Sequence, residues 1–212
     1  MLVGCPSSEE LTRGQEREKG LRRFGEWFFH PVLWAFSSSG ISPNMITVLS
    51  MCFAMACGYF IATGHVLLGA ALFVISGVLD IADGYVAKKL DRVSVFGSFL
   101  DSLLDRISDS AVYLGVAAFY LRCDEGVYVG LVLVMLVVSF LISYTRSRAE
   151  TLGVTCRAGL MARAPRFIAL SVGFFFNGLS PWVLRSVLWI VVALMVETFI
   201  ARFVEVWKKI DK

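Results

Sequence analysis

The sequence predicts an all-α integral membrane protein, a bundle of six membrane-crossing helices with an amphipathic juxtamembrane helix at its N-terminal side. Three observations predict it. Of 212 residues, 57% are hydrophobic and only 17% charged, with a mean hydropathy of +0.72, too apolar for a water-soluble domain. The apolar residues fall into six runs, each near the roughly 20 residues that about 1.5 Å of rise per residue needs to cross about 30 Å of hydrocarbon. The basic residues gather on alternate joints between those runs.

Residues 1–41 form the first expected segment, a tail followed by a surface helix. From Glu9 to Phe36, Arg and Glu give way to Phe24, Trp27, Phe28, Phe29, Leu33, Trp34 and Phe36. That composition suits a helix with cationic groups among lipid headgroups and rings at the acyl boundary. A disordered tail ending in a packed hydrophobic loop is the plainer alternative.

Residues 42–205 form the expected six-helix domain, with spans at about Met45–Thr63, Val66–Val86, Val95–Leu121, Val127–Tyr144, Leu160–Phe176 and Val183–Phe203. Turn and polar residues mark the joints: Gly64-His65, Lys88 to Arg92, Arg122 to Gly126, Arg146 to Gly159, and Asn177 to Pro181. Most joints are short, so neighbouring helices run antiparallel. Residues 206–212 are read as a C-terminal tail.

Charge sets the orientation. With a cytoplasmic N-terminus, the inner side collects Arg13, Arg17, Lys19, Arg22, Arg23, Lys88, Lys89, Arg92, Arg146, Arg148, Arg157, Arg163, Arg166, Arg202, Lys208, Lys209 and Lys212. Arg122 and Arg185 fall outside, a strong positive-inside asymmetry. Both termini are therefore expected in the cytoplasm of a multi-pass protein of the cell membrane, and no nucleic-acid partner is expected. The first 40 residues lack the charged, apolar and cleavage-site order of a signal peptide. The five cysteines show no metal-ligand spacing, and Cys52 and Cys57 are expected as small buried hydrophobes.

Against this apolar background, the stretch DIADGYVAKKLDRVSVFGSFLDSLLD, Asp80 to Asp105, carries five aspartates. Ionisable groups in membrane helices cost a few kcal/mol or more each and persist where they pair, bind ions or line a wet cavity. Asp80 and Asp83 are three apart at the inner end of the second run, and Asp101 and Asp105 are four apart near the inner start of the third. Each pair shares a helix face, and on adjacent antiparallel helices the two pairs meet at one depth. Four carboxylates so close repel at low dielectric unless cations lie between them. Lys88 and Lys89 are read as lying in the loop beyond, so a hard divalent cation held by oxygen ligands is the expected compensation. Two such ions in a groove suit phosphoryl chemistry. Gly84 and Gly97 leave the backbone bare beside the carboxylates for a ligand's close approach.

The pattern Asp80-x-x-Asp83-Gly84-x-x-Ala87-Lys88, eight residues, then Gly97-x-x-x-Asp101-x-x-x-Asp105 resembles the signature of the CDP-alcohol phosphatidyltransferase family, which has Arg where this chain has Lys88. The resemblance extends over essentially the whole chain, and Ser42-Pro43-Asn44-Met45-Ile46-Thr47 is similar to the family's usual start of the first span. It implies six helices around a cytoplasm-facing cavity, an amphipathic N-terminal helix and a homodimer. It further implies two Mg2+ or Mn2+ ions on Asp80, Asp83, Asp101 and Asp105, with Asp105 also the catalytic base toward an acceptor hydroxyl. A CDP-linked lipid would lie against Gly84, Ala87, Lys88 and Gly97, with CMP expelled by attack on the β-phosphorus. Asn44 and Thr47 either contact the nucleotide or simply open a helix.

Ser143-Tyr144-Thr145-Arg146-Ser147-Arg148-Ala149-Glu150, then Arg163 and Arg166, together with Asp105-Arg106-x-x-Asp109, look like the phosphatidylinositol-phosphate and archaetidylinositol-phosphate synthases of that family. Ala162 departs from that subgroup, which has Glu before the arginine. The resemblance implies inositol 1-phosphate as acceptor, its phosphate held by Ser143, Arg146, Arg163, Arg166 and Arg202, since an anionic acceptor needs a basic pocket. Glycerol 3-phosphate is the alternative acceptor, and positive-inside topology is the alternative account of the arginines. A cation transporter is the alternative class, because such sites also use intramembrane acids. The acids gather toward one face rather than the midplane, which argues against it.

Overall fold

The computed structural model describes residues 42–89, 94–156 and 158–211. The expected surface helix within 1–41 lies outside them. The described residues form six helices: α1 (Pro43–Ala62), α2 (Val66–Lys89), α3 (Val95–Arg122), α4 (Gly126–Thr151), α5 (Arg163–Phe176) and α6 (Pro181–Ile210).

Local chemistry sets the helix starts. Pro43 and Pro181 open α1 and α6, where a missing N–H costs no hydrogen bond. Ser94 caps α3, its Oγ accepting from the Gly97 N–H at 2.9 Å. Gly64, Gly153 and Gly159 take positive φ in the joints, a conformation open to glycine at little cost.

Six spans were expected, and the helices support four on length and composition: α1, most of α2, α4 and α6. The expected fifth run fails on length. Its helix begins only at Arg163 and has 14 residues, about 21 Å at 1.5 Å per residue, short of the hydrocarbon thickness. Pro165 fits only in a helix's first turn, so the helix starts beside it. The third run fails on composition: α3 has 28 residues, but Asp101, Asp105, Arg106 and Asp109 make its first half polar. In contrast, α4 continues through Arg146 and Glu150, and α6 runs on to Ile210, into the residues expected as a tail.

The helices close a ring, in which α1 packs against α2 and α3, α3 against α4, α4 against α6, α6 against α5, and α5 against α2. The second and third helices are therefore not packed on each other, as the spacing of the aspartates suggested. Both pack on their shared neighbour α1, and the carboxylates of Asp80, Asp101 and Asp105 meet in the space between. At the α1–α3 crossing, a Cβ on Gly115 falls on the Gly58 carbonyl and one on Gly58 falls on the Ala111 carbonyl, the backbone-on-backbone approach that small residues allow in membranes. Gly115→Val is expected to lower the thermal midpoint in detergent, since it over-packs this crossing by about 1–3 kcal/mol or more; an unchanged midpoint would show that the crossing gives way freely.

The interior of the ring is apolar, with Ile61, Val116, Met135, Leu184, Leu188 and Met195 fully buried. Reciprocal bonds stitch α1 to α2: Ser50 Oγ donates to Ser76 O at 2.8 Å and Ser76 Oγ to Ser50 O at 2.9 Å. Large apolar side chains such as Leu67, Leu133 and Ile190 point outward, as lipid-facing positions of a multi-pass membrane protein do. Cys57 is buried as expected, whereas Cys52 faces outward.

Candidate active site

The segment joining α4 to α5 determines where the arginines stand, and polar bonds hold it to the C-terminal half of α6. Met161 N–H donates to Thr198 Oγ1 at 2.9 Å, Ala158 N–H to Glu205 Oε2 at 2.9 Å, and Arg202 Nε to Ala158 O at 3.1 Å. Gly159 lies against Thr198, where a Cβ would collide. The segment thus delivers Arg163 and Arg166, on the first turn of α5, to the space between α2 and α3.

Asp80 on α2 and Asp101 and Asp105 on α3 meet in that space, with one carboxylate oxygen from each within 4.8 Å of the others. Asp83, one turn from Asp80, is 5% exposed, and its Oδ2 is buried without a hydrogen-bond partner among the described residues. The three convergent carboxylates are a hard, anionic, all-oxygen donor set that a divalent cation fits; Asp83, the fourth expected ligand, is not among the convergent three but adds an orphaned buried oxygen one helical turn from Asp80. The compensation expected from metal alone is shared by a side chain: Arg163 Nη1 lies 2.6 Å from Asp80 Oδ2 and 2.8 Å from Asp105 Oδ1.

Two cavities flank the cluster. One, of about 160 Å³, is lined by Pro43, Asn44, Thr47, Asp83, Gly84, Ala87, Ser94, Gly97, Ser98 and Asp101. It gathers the expected donor-binding residues Asn44, Thr47, Gly84, Ala87 and Gly97; the side chain of Lys88 lies outside the described set. A Cβ on Gly84 would meet nothing, whereas one on Gly97 would press on Ser94 Oγ and Asn44 Oδ1, so Gly97 lets α1 approach the capped start of α3.

The other cavity, of about 150 Å³, is lined by Asp105, Arg106, Asp109, Ile142, Ser143, Arg146, Met161, Ala162, Arg163, Arg166 and Arg202. All five residues expected at an acceptor phosphate are among them. Arg166 is 5% exposed, pairs with Asp109 Oδ2 at 2.5 Å and lies over the Tyr113 ring at 5.9 Å. Arg202, 7% exposed, donates from Nη1 to Ile142 O at 3.1 Å as well as from Nε to Ala158 O. Arg146 pairs with Glu150 at 2.9 Å on an exposed face.

Sequence reasoning gave no role to Ser94, Ser98, Arg106 or Asp109. Asp109 had a signal, since it continues the four-residue stripe of Asp101 and Asp105. Ser94 had one as a capping residue three before Gly97.

A groove and an arginine-lined cavity that share a carboxylate cluster, at one end of a membrane-helix ring, bring two polar substrates to one set of anionic ligands. Such an arrangement is that of a group-transfer enzyme in a membrane-helix bundle. The chain belongs to the CDP-alcohol phosphatidyltransferase family, whose pattern matches residues 40–205. It is 34% identical over 190 residues to the archaetidylinositol phosphate synthase of Methanothermobacter thermautotrophicus, covering 86% of this chain and 94% of that protein. Its fold is similar to the crystal structure of Mycobacterium tuberculosis phosphatidylinositol phosphate synthase with CDP-DAG bound, with a TM-score of 0.77 and 27% identity over 84% of this chain and 92% of that one. The same mycobacterial enzyme in complex with manganese and citrate superposes with a TM-score of 0.77 at 27% identity, over 84% of this chain and 88% of that one.

Proposed function

We propose that this phosphatidyltransferase moves a phosphatidyl-type group from a CDP-linked lipid, CDP-diacylglycerol or CDP-archaeol, to inositol 1-phosphate and releases CMP. The observation that carries the reading is the position of Asp105, which belongs to the carboxylate cluster and also lines the cavity of five arginines. The groove beside Asp83 and Asp101 takes the nucleotide end of the donor. Asn44 and Thr47 stand at the N-terminal turn of α1 and line that groove, and the bare Gly84 backbone admits the cytidine. The cavity takes the acceptor, with Arg166, Arg202, Arg146 and Ser143 around its phosphate.

Asp105 accepts the proton of the acceptor hydroxyl as its oxygen bonds to the β-phosphorus, and the bond from that phosphorus to the oxygen bridging to the α-phosphate breaks, so CMP leaves with the electron pair. Asp80, Asp83, Asp101 and Asp105 would hold two Mg2+ or Mn2+ ions, which offset charge on the diphosphate when bound. The carboxylates thus bind and orient the donor, and the arginines orient the acceptor.

The names of the archaeal and mycobacterial relatives support inositol 1-phosphate; glycerol 3-phosphate is the second reading, because the same cavity suits it. The positive-inside pattern supports cytoplasmic termini and a cytoplasmic active site in the cell membrane. Residues 42–205 form the transferase domain in this reading, with residues 1–41 on the membrane surface, and the enzyme acts as a homodimer.

The test is CMP release by purified protein in nanodiscs with CDP-diacylglycerol or CDP-archaeol, Mg2+ or Mn2+, and a choice of acceptors. Inositol 1-phosphate is expected to turn over fastest and free inositol poorly, since it leaves the arginines without an anion. Excess chelator is expected to bring CMP release to background. Faster transfer to glycerol 3-phosphate would displace the inositol assignment, and turnover undiminished in chelator would remove the metal reading.

A further inference from the structure

Three arginines that line the acceptor cavity differ in how they are held. Arg166 is fixed by Asp109 and lies over the Tyr113 ring, and Arg202 is held by two backbone carbonyls. Arg163 has a side chain 39% exposed, and its ion pairs are to Asp80 and Asp105, two members of the convergent carboxylate cluster. Its backbone follows a segment clipped to α6 at Met161 and Ala158. A change of position at Arg163 is therefore a rotation about side-chain bonds, with the chain left in place.

A guanidinium and a divalent cation compete for the same carboxylate lone pairs, and as like charges they repel at such short range. The cavity offers Arg163 a second place beside Arg166 and Arg146, where three cations gain only if an anion arrives. We infer that Arg163 is a two-position side chain. It pairs with Asp80 and Asp105 while the cluster holds no divalent cation, and turns into the cavity to meet the acceptor's anionic group when the cation binds. Rotation also frees Asp105 from a partner that competes for its proton-accepting oxygen. Cation and anion binding then favour each other, and by linkage each raises the other's affinity by the same factor. The inference rests on the reading of the carboxylates as cation ligands.

The experiment measures Mn2+ affinity of the full chain in nanodiscs by electron paramagnetic resonance, without CDP-lipid, in the absence and presence of sulfate as anion probe. In the unmodified protein, sulfate is expected to tighten Mn2+ binding about five- to tenfold, at the low end of allosteric couplings. Arg163→Gln is expected to bind Mn2+ about tenfold more tightly without sulfate and to gain nothing when sulfate is added. Arg163→Lys, which keeps the charge but loses the fork that spans two carboxylates, is expected to fall between the two and serves if the Gln variant does not fold. Unchanged or weaker Mn2+ binding in the folded variants, or sulfate coupling that survives in Arg163→Gln, overturns the inference. A different result would remove the underlying reading: Asp80→Asn and Asp105→Asn each keeping normal Mn2+ affinity.

Discussion

Asp105→Asn lowers CMP release by about 10²–10⁴-fold, the range for loss of an acid–base group, and by more where a cation ligand is lost as well. The amide keeps the size of the carboxylate and one oxygen, so α3 packs as before, but it accepts no proton from the acceptor hydroxyl. Donor affinity falls much less than turnover, because the groove is lined by Asp83 and Asp101 and not by Asp105, and three of the four carboxylates that would hold the ions remain. The measurement is kcat with saturating inositol 1-phosphate beside equilibrium binding of CDP-diacylglycerol. A kcat within a few fold of normal would move the base to another group. Loss of donor binding with loss of turnover would make Asp105 a cation ligand alone.

The pair Asp101 and Asp105, four residues apart, was legible in the sequence because a helix face repeats at that spacing. Together with Asp80 and Asp83, it located the cluster before any coordinates. What spacing does not reveal is which helices touch. Antiparallel neighbours are expected to pack, yet α2 and α3 both lean on α1 and leave the site between them, because glycines at 58 and 115 draw α1 and α3 together. Nor does spacing show a cation arriving from 58 residues beyond Asp105; Arg163 reaches Asp80 and Asp105 only because its preceding segment is tied to Thr198 and Glu205. The short α5 did have a sequence signal. Pro165 restricts the helix start, but the apolar run begins earlier at Leu160, and hydropathy outweighed the breaker.

Arg166→Met carries the second large effect, because Arg166 has two duties that can be separated. Its guanidinium is the ion-pair partner of Asp109, whose side chain is 23% exposed and otherwise receives a bond from Ser139 Oγ at 3.3 Å. Removing one member of a buried pair costs about 3–5 kcal/mol, and partial access of water to Asp109 puts the expected loss at or below the lower end. The thermal midpoint in detergent therefore falls. The KM for inositol 1-phosphate rises about 10- to 100-fold, since one charge-assisted contact is worth about 1.5–3 kcal/mol and each 1.4 kcal/mol is tenfold. Adding Asp109→Asn removes the stranded charge. The double variant is expected to regain most of the thermal midpoint, because an apolar or neutral pair replaces a buried ion pair at little cost. It is not expected to regain KM, because the acceptor's phosphate still lacks its cation. Recovery of both quantities together would show that Arg166 serves Asp109 alone and touches no acceptor, and the phosphate site would then rest on Arg146, Arg202 and the freed Arg163.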